Sequence, residues 1–228
     1  MISRKYPSTR LRRLRQSESI IKLTSECSLS KDDLIQPVFV KEGLIDKEPI
    51  KSMPGIERFG EESILKEIEE IDQLGIRAVA IFPVIDPSKK DSRGTEAIKE
   101  DNFISRVLSS VKSKYPNMLI IADVALDPYT SHGHDGILEN DKILNDKTLE
   151  VLAEQSVILA KAGADIIAPS DMMDGRIGFI RKKLDENKLE DKIILSYAAK
   201  YNSKYYGPFR DAVNSKSNLG TSDKSSYQ

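Results

Sequence analysis

Lys200 closes the stretch "ILSYAAK" (194–200) and stands among Tyr197, Tyr201 and Tyr206, with Arg210 four residues beyond the last of them. Apolar rings around a lysine disfavour its charged form, and a neutral amine attacks a ketone to form an imine. The phenols supply proton-transfer groups, and the planar fork of Arg210 suits a substrate carboxylate. Against this stands a plainer reading, a solvated lysine following a strand, which is how most lysines sit. The residues alone leave both open.

A second cluster lies in "DVALDPYTSHGHDG" (123–136), which holds Asp123, Asp127, Asp135, His132 and His134. Carboxylates favour a hard cation such as Mg²⁺ over zinc, and two histidines do not by themselves make a zinc site. The alternative is a polar loop turned by Gly133 and Gly136 whose aspartates hydrogen-bond the backbone. On composition alone the loop reading is favoured.

These side chains need a scaffold that gathers them. "EEIDQLGIRAVAIFPVID" (69–86) and "LAKAGADIIAPSD" (159–171) repeat a helix–glycine–strand module, with Gly75 and Gly163 at the helix ends and apolar runs at 78–84 and 166–168. That pattern marks α/β units whose sheet is covered on both faces. "LIQPVFV" (34–40), "MLIIADVAL" (118–126) and residues 193–197 complete five expected strands, although Pro37 is awkward for a central one. Helical spacing appears at Ile64, Leu65, Ile68, Ile71 and Leu74, and at Phe103, Ile104, Val107, Leu108 and Val111. It recurs at Leu149, Leu152, Ala153 and Ala160 and again near 176–187. Four helices between five strands predict parallel crossovers, which collect chemistry at the carboxyl edge of the sheet. The expected rim residues are Asp123, Asp127, Ser170, Asp171 and Lys200. Beyond Lys200 the rhythm stops, and residues 201–228 read as a polar lid with no further strand.

Composition narrows the classes. The 228 residues carry 35 basic and 36 acidic side chains, a net charge of −1, so no global field draws the chain to nucleic acid or an anionic membrane. No apolar run reaches the ~18 residues of a membrane helix, and the basic start lacks the apolar stretch of a secretory signal. The lone Cys27 excludes an internal disulfide framework and a cysteine-based zinc cluster, and is read as a small apolar residue. A soluble protein of the cytoplasm is expected. With the overall charge balanced, "RLRRLR" (10–15) reads as an arm that packs on another subunit.

Five segments together carry a resemblance: "LSYAAKYNSKYYGPFRDA", "DVALDPYTSHGHDG", "APSDMMDGRIGFIR", "KSMPG" (51–55) and "RRLR". Taken in their order along the chain, and over essentially its whole length, they are similar to the porphobilinogen synthase family, also called 5-aminolevulinate dehydratase. The resemblance implies a (β/α)₈ TIM barrel behind an N-terminal oligomerisation arm, here residues 1–32 and 33–228, with only about the first five β/α units present. It implies a hydro-lyase that condenses two molecules of 5-aminolevulinate to porphobilinogen through lysine Schiff bases, in a homo-octamer or hexamer. Lys200 matches a Schiff-base lysine, and Tyr206 and Arg210 match lid residues beside it. Lys224 falls where the family places a basic residue that grips a carboxylate, and Gln228 at another substrate position. Asp123 and Ser170 match pocket-lining residues. Asp171 and Arg176 share one family motif without an assigned role, and Tyr201 belongs to the lid.

Two departures accompany it. Where many relatives carry three zinc-binding cysteines, this chain has Ala125, Asp127 and Asp135. It therefore resembles an aspartate-rich subgroup associated with Mg²⁺, and in some cases a monovalent cation, with Asp127 and Asp135 as candidate ligands. The family's other lysine, in an M-V-K-P-G segment, has no counterpart here, and "DKSSYQ" (223–228) matches a mid-lid segment, so a longer native chain is expected. A lysine-dependent barrel aldolase shares the imine chemistry but not the arm, loop and lid together. A catalytically inactive fragment or paralogue that keeps only assembly contacts is the remaining alternative.

Overall fold

The computed structural model describes residues 4–214 and 224–228, so part of the expected lid, 215–223, lies outside the described residues. The chain divides into two compact units, Met1–Asp33 and Leu34–Gln228. In the first, a 3₁₀ turn at Leu11–Arg15 precedes α1 (Glu18–Leu23), whose N-terminus Ser17 caps by accepting the Ile20 amide. Neither element buries a residue, and Leu11, Leu14, Ile21 and Leu23 are exposed. Cys27 is exposed too, which does not match its reading as an apolar filler.

The second unit is built on a seven-stranded sheet. Its parallel strands are β1 (Ile35–Lys41), β4 (Ala78–Val84), β5 (Leu119–Val124), β8 (Ile166–Pro169) and β9 (Ile193–Ile194). They neighbour one another in chain order. Two short strands between the first pair, β2 (Lys47–Pro49) and β3 (Glu57–Phe59), form an antiparallel hairpin that joins β1 through β3. On that side of β1 only Phe39 and Val40 are paired, which relieves the hydrogen-bonding problem posed by Pro37. A separate hairpin, β6 (Leu138–Glu139) and β7 (Lys142–Ile143), turns at Asn140 and Asp141 with φ of 50° and 59°. Such left-handed pairs make the tightest hairpins.

The expected helices all form: α2 (Ile64–Gln73), α3 (Phe103–Lys114), α4 (Asn145–Lys161) and α5 (Arg176–Glu186). Ile64, Ile68 and Ile71 are buried on one stripe of α2, and Phe103, Ile104, Val107, Leu108 and Val111 on one of α3. They pack on Val79, Ile81, Ile120 and Ile167 of the strands. Each fully buried side chain of this size contributes about 1.5–3 kcal/mol. Gly163 ends α4 at φ +117°, a conformation that side chains disfavour, and so lets the chain reverse into β8.

Two expectations are corrected. The last strand covers only Ile193–Ile194 rather than 193–197, because after Leu195 donates to the Ile167 carbonyl the chain leaves the sheet. Lys200 therefore sits on irregular backbone and not at a strand end. The segment after it is not featureless either: α6 (Tyr206–Ala212) forms there. Pro208 is tolerated because it falls in the first turn, where amides have no intrahelical partner. No closed barrel forms among the described residues; the sheet is open and runs from β2 to β9.

Candidate functional site

A cavity of about 190 Å³ opens at the carboxyl edge of the parallel strands. β4 contributes Phe82 to it and β5 contributes Asp123, while the following loop brings Asp127 and Asp135. Ser170 enters just past β8, and Tyr197 and Lys200 past β9. Spacing on α6 places Tyr206, Phe209 and Arg210 on one helical face, all lining the cavity. Lys224 and Gln228 complete it.

The Lys200 ammonium donates to the Ser170 backbone carbonyl in a short contact and lies 4.0 Å from Asp135 Oδ1. Its nitrogen is 6.0 Å from the Tyr197 ring centre and 5.8 Å from that of Tyr206, a cation–π geometry on two sides. Burial and then Asp123 push the Tyr197 phenol upward, so it stays a neutral donor. Asp123 is only partly enclosed as a residue, yet its Oδ1 is sealed from water and has no hydrogen-bond partner. Burial raises its carboxyl to about 7, against the opposing pull of Ser170 and Lys200. A group poised there exchanges a proton near neutral pH. Arg210 has no ion-pair partner among the described residues, which leaves its fork free for an anion.

Lys224 is 5% exposed and holds both loop carboxylates, Asp135 Oδ2 at 2.6 Å and Asp127 Oδ2 at 3.4 Å. Burial alone would lower its pKa; the two carboxylates outweigh that and raise it. Burial and the neighbouring Asp127 raise Asp135. Tyr227 donates to Asp135 Oδ2 at 3.0 Å and lies 2.9 Å from His134 Nδ1, while His132 contacts the Ser92 carbonyl. Among the described residues no three His, Cys, Asp or Glu side chains group as metal ligands.

The cavity thus unites Lys200, Tyr206, Asp123, Arg210, Lys224, Ser170 and Gln228, seven residues singled out from the sequence. The weaker candidates Asp127 and Asp135 line it as well, whereas Asp171, Arg176 and Tyr201 do not. Asp171 is fully buried behind the wall, 3.6 Å from Arg176, whose guanidinium binds the Met173 and Tyr197 carbonyls. Tyr201 is 77% exposed, and its carbonyl accepts from Gln228. Sequence reasoning missed Phe82, Phe209 and Tyr227. Phe82 reads as strand core, and nothing local marks the other two as neighbours of residues some 90 or more positions away.

The site is thus an α/β pocket that gathers an amine, a carboxyl group and a guanidinium without an ion-pair partner among the described residues. The delta-aminolevulinic acid dehydratase family model matches residues 8–228, and the chain belongs to that family. The delta-aminolevulinic acid dehydratase of Bradyrhizobium diazoefficiens is 47% identical over 96% of this chain and 62% of its own length. That of Methanothermus sociabilis is 45% identical over 98% of the chain and 68% of its own. A crystal structure of the Toxoplasma gondii ME49 enzyme in complex with the reaction product porphobilinogen superposes with a TM-score of 0.93 at 42% identity. It covers 96% of this chain and 62% of that one. The chain thus spans about two thirds of the length of these relatives.

Proposed function

We propose that the protein is a porphobilinogen synthase, a hydro-lyase of tetrapyrrole (haem and porphyrin) synthesis that joins two 5-aminolevulinate molecules with loss of two waters. The observation that carries this reading is an amine and a guanidinium, the latter without an ion-pair partner among the described residues, facing one cavity in a chain of this family. The reaction product porphobilinogen bound in the Toxoplasma gondii structure supports this reading.

In the proposed chemistry Arg210 binds the substrate carboxylate and fixes the ketone beside Lys200. Lys200 first gives a proton to a neighbouring base; its freed nitrogen bonds to the carbonyl carbon, the oxygen takes up that proton and one from the nitrogen, and the carbon–oxygen bond breaks to release water. Protonated, the resulting imine is a stronger electrophile than the ketone, and its α-carbon is easier to deprotonate. Asp123, raised to about 7, and Tyr206 exchange these protons, and Ser170 and Gln228 orient the substrate's polar groups. Lys224 fixes Asp127 and Asp135 in place along one side of the pocket.

Finer features belong to the same proposal: a (β/α)₈ barrel, a homo-octamer or hexamer joined through the arm, and a cytoplasmic location. A Mg²⁺ requirement is part of it as well, with Asp127 and Asp135 as the residues that would help hold the ion, and no step is routed through it. No helix among the described residues is long and apolar enough to cross a membrane. Borohydride reduction with 5-aminolevulinate, followed by peptide mass analysis, tests the reading. A reduced adduct is expected on Lys200 and absent in Lys200→Met. Turnover undiminished in that variant would sink it.

A further inference from the structure

The side chains at the cavity mouth ride on a helix that is unstable alone. α6 has seven residues, about two turns, and isolated helices of that length are not stable in water. Its terminal carbonyls have no intrahelical partners and carry the negative end of the helix dipole. A single guanidinium reaches the last two, of which the Asp211 carbonyl also accepts the Asn214 amide at 3.1 Å. Arg58 of β3 donates from Nε to the Ala212 carbonyl at 2.6 Å and from Nη2 to the Asp211 carbonyl at 2.5 Å. Its Nη1 donates to Glu48 Oε1 of β2 at 2.9 Å, and Lys41 anchors Glu48 from β1 at 2.9 Å. The "KSMPG" loop between β2 and β3 adds Ser52, which donates to Asp211 Oδ2 at 2.5 Å. Apolar packing aligns the same helix: Phe209 lies 5.0 Å from Phe82 and 5.9 Å from Phe39, ring centre to ring centre.

Arg58 itself does not line the cavity, and Tyr206, Phe209 and Arg210 do. We propose that Arg58, braced by Glu48, is a positioning residue that caps α6 and thereby holds Tyr206 and Arg210 at the substrate pocket. The β2–β3 hairpin is then a bracket for that helix, and the "KSMPG" motif is its outer edge. Lysine cannot replace this arginine fully, because three donors in one plane serve three acceptors.

The kinetic arm of the test rests on the function proposed above; a hydrogen-exchange arm does not. In Arg58→Met, amides 209–213 are expected to exchange about tenfold or more faster, the loss that follows from removing charge-assisted hydrogen bonds, while α4 amides keep their rates. KM for 5-aminolevulinate is expected to rise about tenfold with a smaller change in kcat, since the lost element grips the carboxylate. Arg58→Lys should fall between the two proteins, and it carries the test if Arg58→Met does not fold. Unchanged exchange in 209–213, or equal acceleration in α4, overturns the latch. Failure of wild-type Lys200 to trap 5-aminolevulinate sinks the functional reading instead and leaves the exchange result standing.

Discussion

Asp123 and Asp171 are carboxyl groups that burial lifts from 3.8 to about 7 and about 6, and this gives the fold a pH signature. A carboxyl raised on folding favours the native state fully only below its unfolded pKa, and that contribution is lost as pH climbs through the folded value. Stability is therefore expected to fall between about pH 4 and pH 7. Asp123→Asn removes one such group. Relative to the parent, it should gain roughly 2–3 kcal/mol in unfolding free energy between pH 5 and pH 8, at 1.36 kcal/mol per pK unit. Urea titrations at the two pH values check this, and parallel pH dependence in both proteins would contradict it. At this scale the sequence was informative where chemistry is local to a motif, as for Lys200, Asp123 and Arg210. It was silent on Tyr227, Phe209 and Arg58, whose roles arise from contacts across 92, 127 and 154 positions of chain.

Elements with a strong internal pattern were legible and those made by tertiary contact were not. The strands 78–84 and 119–124 and the stripes of α2 and α3 follow from apolar spacing alone. α6 contains Gly207 and Pro208, which argue against a helix, and exists because Phe209 and Ala212 dock on Phe39 and Phe82. β2 and β3 are three residues each, too short for alternation to register. The α4–β8 junction tests the glycine reading directly. In Gly163→Ala the new methyl carbon would sit 3.0 Å from Lys112 Cβ with φ at +117°. A loss of about 1–3 kcal/mol is expected, with a melting temperature lower by about 2–4 °C per kcal/mol. Gly178→Ala in α5, where nothing lies within 4 Å, should instead be neutral or stabilising. Thermal melts of the pair decide it, and equal shifts would refute the argument.

On the scale of the molecule, the first 33 residues form a unit with little core of its own. α1 has six residues and none is buried, so within one copy its amides should exchange almost freely. If the arm packs on another subunit, protection of residues 18–23 should rise with protein concentration, in step with sedimentation. Protection that ignores concentration would remove the arm from assembly. The α/β class and strand order were readable from the helix–glycine–strand rhythm, whereas barrel closure depends on pairing between distant strands that no local pattern encodes.

The two ends of the sheet are not equivalent. β2 is short and ends in Pro49, a poor template for a new neighbour, whereas β9 presents Ile193 at 56% exposure and β1 leaves Ile35 to Val38 unpaired on its hairpin side. Among the described residues these are two raw seams, one toward each side of the sheet. A polypeptide that knits them together, whatever its origin, must hydrogen-bond at both places at once, and it would cover the oily stitching that β9 now turns to water.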